Sequence, residues 1–269
     1  MGAAAANPAL RGDTTHNASA TSEQFIIRPG RLSDIHALAQ NATRAYWLSP
    51  INRFLAPRAP EYPDDLRRMF RQAFRRRALP PNALFLVACK ASELDCPVGH
   101  GVFVRLGDDA GAKEFVAAKG LLHRAWMYTL SWYFWAYDKI DLFIWKPRAF
   151  DRDALNLLGA WSREDDLKYW ESHPERANRW YVHSLVIDPE YQGKGIGKML
   201  MAGPMKLAQS ERVIIGLTAS RHGEFLYRKL GFEMLGDFYK RPDTEGPDDK
   251  GGGVMIWYPE GYEGVRRGD

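Results

Sequence analysis

Glycines stand at positions 193, 195 and 197, separated by Lys194 and Ile196, directly after an apolar run and before a stretch of helical periodicity. Glycines at a strand-to-helix junction let backbone N–H groups close on an anion, and the helix N-terminus adds the positive end of its dipole. The chemistry supported by this spacing is the holding of a phosphate. Position excludes two familiar phosphate loops. A P-loop needs a glycine five residues before Gly197 and a hydroxyl after Lys198, where Gln192 and Met199 stand. The dinucleotide fingerprint needs its third glycine where Lys198 stands. Cys89 and Cys96 have no histidine at metal-ligand spacing, so no metal site is expected.

A loop of this kind must be carried by a strand and a helix, and the flanking sequence supplies both. The near-continuous apolar run Arg179–Ile187 has the pattern of a central strand covered on both faces. Alternation along it predicts Tyr181, His183, Leu185 and Ile187 on one face. A helix is expected after the glycines to about Gln209, then a strand over Arg212–Ala219, a helix over Arg221–Leu230 and closing strands over Phe232–Tyr239 and Gly253–Pro259. Upstream, Phe25–Pro29 opens as a strand and is followed by a helix capped by Ser33 or Asp34. A second, arginine-rich helix runs over Pro63–Ala78, and strands follow over Ala83–Lys90 and Val98–Leu106, joined near Asp95–Pro97. The polar stretch Arg241–Gly252 is expected to be mobile.

Between Asp108 and Arg179 the chain is rich in aromatic residues and has mostly helical periodicity. Seven aromatics between Trp126 and Tyr137 occupy more than one helix face, which predicts a helix sandwiched between other elements. Their ring faces could wall a pocket for an aromatic or cationic amine, with Trp132, Trp135 and Asp138 as candidate substrate contacts.

The 269 residues, 45% of them hydrophobic, can bury a sizeable core. The net charge is +4, and six arginines fall in one segment, Leu66–Pro81, which is expected to be a solvated helix face and lacks the interleaved exposed aromatics of a nucleic-acid surface. The uncharged stretch Ala125–Tyr137 is far shorter than the about 20 residues of a membrane-spanning helix, so no membrane partner is expected. The first residues lack the basic and apolar regions of a secretory signal, and with two thiols a reducing, cytoplasmic setting is expected. Expected boundaries are a disordered arm over 1–24, a single domain over 25–260 with the helical insertion 108–179 inside it, and a tail over 261–269. The oligomeric state is left open.

Gln192-Gly193-Lys194-Gly195-Ile196-Gly197 resembles the Q/R-x-x-G-x-G/A signature of the GNAT acyltransferase superfamily, which lies between a strand and a helix. Ser220–Phe232 resembles that family's N-x-x-A-x-x-L-Y-x-K-x-G-F block through Leu226, Tyr227, Lys229, Gly231 and Phe232, with Ser220 and Gly223 in place of the usual Asn and Ala. The aromatic insertion makes the chain most similar to fungal-type small-molecule N-acetyltransferases.

The resemblance implies an α/β (α+β) GNAT fold. In it a central, mixed, mostly antiparallel twisted sheet is flanked by helices and splayed between its fourth and fifth strands. It implies acetyl-CoA as co-substrate, held by Gln192, Gly193, Lys194, Gly195, Ile196, Gly197 and Lys198 at the pyrophosphate, by Leu185, Val186 and Ile187 along the pantetheine, and by Ser220 and Tyr227. It also implies Tyr227 as the acid for the leaving thiolate. His183 matches a histidine that arylalkylamine N-acetyltransferases carry on this strand. An imidazole, with its ordinary pKa near 6.5, suits taking a proton from an ammonium, which predicts a rate-controlling ionisation between about pH 6 and 8. The expected function is acetyl transfer to the amine of a small molecule by direct attack in a ternary complex, in detoxification or secondary metabolism. The alternatives are acetylation of a protein lysine or N-terminus, and a non-catalytic acyl-CoA-binding module.

Overall fold

Phe25–Pro29 (β1), Ala83–Lys90 (β2), Glu93–Leu106 (β3) and Arg179–Ile187 (β4) form an antiparallel run of strands in the computed structural model, which describes residues 23–240 and 251–266. Ile214–Ala219 (β5) joins β4 in parallel, and Glu233–Gly236 (β6) and Gly253–Trp257 (β7) complete one seven-stranded sheet in the order β1-β2-β3-β4-β5-β7-β6. The expected arm, except for its last two residues, most of the expected mobile loop and the last three residues of the tail lie outside the described residues.

Three features of this sheet matter for the site. The pairing of β4 with β5 runs only from Arg179–Ile214 to Val182–Leu217, so the two strands part and the second half of β4 has a free edge. The splay expected between the fourth and fifth strands is present. The β3–β4 ladder shifts register between Val102, opposite Ser184, and Phe103, opposite Val182, which leaves His183 as an extra, unpaired residue. Such a β-bulge bends the strand and re-aims its side chains. Finally, β3 begins at Glu93, earlier than expected, because register shifts beside Cys89 accommodate Pro97, which has no N–H to donate.

The helices are Ile35–Tyr46 (α1), Pro50–Leu55 (α2), Pro63–Ala78 (α3), Ala110–Ala117 (α4), Leu121–Ile144 (α5), Arg152–Asp166 (α6), Ile196–Glu211 (α7) and Arg221–Lys229 (α8). Local chemistry sets several of their ends. Ser49 accepts from the Asn52 N–H before Pro50 opens α2, and Asp151 accepts from Asp153 and Ala154 at the start of α6. Asp64 and Asp65 lie in the first turn of α3 and Arg75–Arg77 in its last, which complements the helix dipole.

On one face of the sheet α7 and α8 cover Phe103, Trp180, Val182, Ile215 and Leu217. On the other face α1 and α3 cover Val87, Cys89 and Val186 through Leu38, Ala42 and Phe74. Beyond the splay that second face is covered instead by Leu167–Glu171, the end of the insertion, whose Tyr169 and Trp170 are buried against Ile214, Val254 and Ile256. Trp170 lies so close that a Cβ on Gly216 would come within 2.4 Å of its ring.

The rest of the insertion departs from expectation. The seam Arg124, Met127, Leu130, Ser131, Phe134, Asp138 and Asp141 is the better-covered side of α5, with Asp138 and Asp141 facing α3. Arg75 pairs with Asp138 at 3.1 Å and Arg68 with Asp141 at 2.8 Å. The remaining faces are open, with Trp132 70% and Phe143 83% exposed, so α5 is not a sandwiched helix. The arginine-rich segment is likewise only partly a solvated face, because Leu66, Gln72, Phe74 and Ala78 of α3 are buried. No described helix is long and apolar enough to cross a membrane.

Candidate active site

The bulge decides which side chains meet. Without it, His183 and Leu185 would share a face, as alternation predicted. In the structure His183 and Ser184 both look onto a cavity on the α1/α3 side, whereas Leu185 and Ile187 pack toward Ile196 and Leu200 of α7. The face predicted for Tyr181, His183, Leu185 and Ile187 is therefore split in two by one inserted residue.

The cavity has a volume of about 190 Å³ and takes its walls from the first quarter of the chain: Tyr46 from α1, Asn52 from α2, and Phe70, Phe74 and Arg77 from α3. His100 and Ser184 form part of its floor, with the Ser184 hydroxyl 3.3 Å from His100 Nε2. His100 is fully buried, and desolvation pushes its pKa down to about 3, so it is neutral. His183 is open to the cavity, but desolvation among the cavity walls, and secondarily the nearby positive charge of Arg77, push its pKa down to about 4. It is thus an unprotonated imidazole throughout the neutral range.

This alters the expected pH behaviour. The proton-accepting form of His183 is present at every pH above about 4, so nothing is gained as pH rises from 6 to 8. His183→Gln is expected to lower kcat by about 10²-fold, the lower bound for positioned acid–base groups. The pH–rate profile between pH 6 and 9 should keep its shape. A variant that loses an ionisation between pH 6 and 8 would restore the ordinary pKa.

Opposite the cavity, across β4, lies the glycine loop. Gly193 (φ +77°) and Gly195 (φ +80°) hold left-handed conformations that favour glycine, and a Cβ at either would meet nothing within 4 Å. Gly195 is the N-cap of α7, and no side chain caps that end. The first amides of a sixteen-residue helix are therefore left without a side-chain cap beside the open space at Gly193 and Gly195, a fit for an anionic diphosphate. Gly197 has a different reason: a Cβ there would come within 2.7 Å of Leu226, so it permits α7 to approach α8. Other residues assigned to the loop are turned elsewhere. Lys194 pairs with Glu23 at 2.7 Å and lies over the Tyr191 ring, and Gln192 donates to the Ile187 carbonyl at 3.1 Å. Lys198 is exposed on the first turn of α7. Ser220 caps α8 by accepting from the Gly223 N–H at 3.2 Å.

Tyr227 is buried in the core that joins α8 to β4 and β5, in edge contact with Phe232. Desolvation, with a smaller contribution from Tyr46, pushes its phenol pKa up. It therefore keeps its proton at physiological pH and meets a developing anion as a hydrogen-bond donor. Trp132, Trp135 and Asp138 do not line the cavity. Trp132 and Trp135 stack edge-on against each other on the open side of α5, and Asp138 is engaged by Arg75. The insertion is not the roof of this pocket. The walls it was expected to provide come from α1–α3, and the i, i+4, i+7 spacing of Phe70, Phe74 and Arg77 was the available signal.

The described residues hold no group of three or more His, Cys, Asp or Glu that could bind a metal. Residues 158–234 match the model of the acetyltransferase (GNAT) domain. An acetyltransferase of Stachybotrys chartarum is 23% identical over 227 residues, which are 82% of this chain and 86% of that one. The N-alpha-acetyltransferase RimI of Mycobacterium tuberculosis is 29% identical over 102 residues, 34% of this chain and 63% of its own. A solved structure described as histone acetyltransferase HPA2 and related acetyltransferase, from Corynebacterium glutamicum, shares the fold with a TM-score of 0.51 at 17% identity, covering 87% of this chain and 96% of that one. With its splayed fourth and fifth strands, its glycine loop ahead of α7 and its match to the acetyltransferase (GNAT) domain model over residues 158–234, this chain is similar to the GNAT acetyltransferases.

Proposed function

We propose that this enzyme transfers the acetyl group of acetyl-CoA to the amine of a small molecule, with co-substrate and acceptor held on opposite sides of β4. The observation that carries the reading is the cavity beside His183. It is a half-open recess of about 190 Å³ between three helices and the bulge, with His183 and Arg77 still reached by solvent. Its size is comparable to a cavity of about 150 Å³ that accepts one benzene ring. A side chain or a small amine fits there, and an extended peptide does not.

The residues would divide the work as follows. The amides at the start of α7, with Gly193 and Gly195 leaving room, hold the diphosphate of the co-substrate. The free edge of β4 from Ser184 to Ile187 supplies backbone partners for its amide-bearing arm. When bound, acetyl-CoA supplies an activated thioester. His183 accepts a proton from the acceptor's ammonium, directly or through one water, and so frees the lone pair that attacks. The amide left unpaired by the bulge is the donor for the carbonyl oxygen as charge builds there. Tyr227 donates its phenol hydrogen to the departing sulfur.

The test is a panel of small amines and short peptides incubated with acetyl-CoA, with free thiol release followed in time and products identified by mass spectrometry. Acetylated small amines support the reading. Acetylation confined to peptide lysines or N-termini would replace it, and CoA binding without turnover on any acceptor would favour a binding module.

A further inference from the structure

The cavity holds an unexpected charge. None of its lining residues is acidic, although the acceptor of an acetyltransferase is an amine that arrives as a cation. Its charged wall residue is instead Arg77, the last arginine of α3. The other arginines of that helix are largely accounted for. Arg67 reaches Asp64, Arg68 reaches Asp141, Arg75 reaches Asp138, and Arg76 donates to the Gln72 carbonyl. Among the described residues Arg77 has no carboxylate partner. It borders Phe74, Tyr46 and His183, where desolvation lowers its pKa without removing its charge at neutral pH. Arg77 lines the recess while remaining exposed, so it can meet an incoming anion, and its planar fork of donors matches a carboxylate.

We propose that the acceptor carries an acidic group beside its amine, a carboxylate in the manner of an amino acid, and that Arg77 is the residue that selects it. The inference rests on the proposed function and gives its substrate a class. Arg77 binds the acid and holds the amine toward His183, while the rings of Phe70 and Phe74 take the apolar remainder. The same positive charge favours loss of the acceptor's ammonium proton, the step that precedes attack. A simple alkylamine would bring a second cation to Arg77 with no acid to offset it.

The experiment compares phenylalanine with phenylalaninamide and 2-phenylethylamine, and tryptophan with tryptophanamide and tryptamine, as acceptors for the wild-type enzyme, Arg77→Met and Arg77→Glu. The amides keep the bulk and remove the charge. Wild-type kcat/KM is expected to favour each acid over its amide by about 10- to 100-fold, the range of a charge-assisted hydrogen bond. Arg77→Met should abolish that preference mainly through KM, and Arg77→Glu should reverse it, both with unchanged affinity for CoA. Equal or better turnover of the amides or amines by the wild-type enzyme would overturn the inference while leaving small-molecule transfer intact. Acetylation of peptides alone would overturn the small-molecule reading itself.

A second, independent observation is the open side of α5. Eight aromatic residues from Trp126 to Trp145 are each about half exposed or more, far beyond scattered surface apolars. Aromatic side chains carry about 150–250 Å² each, so these exposures leave on the order of 1,000 Å² uncovered. One partner of a standard protein interface contributes about 800 Å². The exposed positions of α5 include few basic residues, His123 and Lys139, whereas a helix lying on a membrane surface is rich in Lys and Arg on its polar face. Residues 1–22 of this chain contain only Met1 and Leu10 as large apolar residues and are poorly suited to cover it.

We infer that α5 packs against α5 of a second copy, a self-complementary contact of the kind that closes a two-fold dimer. Sedimentation equilibrium at micromolar concentrations should give twice the chain mass of 30.6 kDa. The double variant Trp132→Glu, Tyr133→Glu should sediment as a monomer with unchanged circular dichroism. A wild-type monomer at all concentrations, or one that leaves solution only with phosphatidylcholine vesicles, would overturn the dimer. A double variant that unfolds would be replaced by Phe143→Glu, and a dimer that survives it would move the contact off α5.

Discussion

Gly195→Glu should fold and should lose its affinity for CoA by at least ~100-fold, the size expected when two or three charge-assisted hydrogen bonds are lost together. Gly195 sits at φ +80° with open space where a Cβ would be, immediately before the uncapped amides of α7. A glutamate there places bulk and a negative charge where the dipole and the amides favour an anion. The left-handed backbone adds a strain of about 1–2 kcal/mol. Gly195→Ala shares that strain without the charge, so it separates the two effects: its thermal midpoint should fall with that of the glutamate variant, and its CoA affinity should fall much less. Isothermal titration with CoA measures the affinities, and thermal unfolding followed by circular dichroism measures the midpoints. Undiminished CoA affinity in a folded Gly195→Glu protein would remove this loop from the site.

Tyr227→Phe should lower kcat by about 10²-fold or more, the contribution typical of a positioned acid. The ring keeps its edge contact with Phe232 and its place among Val182, Leu217 and Phe232, so the core should be undisturbed. The phenol hydroxyl makes no hydrogen bond to another described side chain and is not among the fully buried polar atoms left unpaired, so removing it strands no partner in the core. The variant should therefore be as stable as the wild type. That pairing of lost turnover and preserved melting temperature separates an acid from a packing residue. The measurement requires conditions in which chemistry limits the rate, established by single-turnover mixing. Full turnover there would return Tyr227 to the core.

Much of this site was legible in the sequence because its signals are local. The left-handed glycines, the helix that follows them and the Leu226–Tyr227 block each depend on neighbours a few residues away, and short-range patterns record such dependence faithfully. The splay between β4 and β5 was expected through the family resemblance that those local blocks carry. Errors arose where one residue changes the meaning of a pattern. Alternation assigns a face to His183 only if the ladder is regular, and nothing in Arg179–Ile187 announces an unpaired residue opposite the Val102–Phe103 step. Composition misled over α5, whose aromatic density suggested a pocket, whereas the rings of Trp132 and Trp135 point outward. The same bias hid α3. A run of arginines invites the reading of a wet surface, and Phe70, Phe74 and Arg77 share a stripe within it that walls the cavity. The lowered pKa of His183 follows from that enclosure, which no single segment encodes.

The unpaired residue in β4 also shapes how such an enzyme can diversify. Because two consecutive side chains look one way and the next looks the other, the proposed donor and acceptor compartments draw largely on separate stretches of chain: the loop at residues 192–198 on one side, and residues 42–77 with His100, His183, Ser184 and Val186 on the other. Substitutions in α1–α3 can reshape what is acetylated without touching what acetylates it. The two halves meet at a hinge one residue wide, and selection, natural or in the laboratory, can work on either without renegotiating the other.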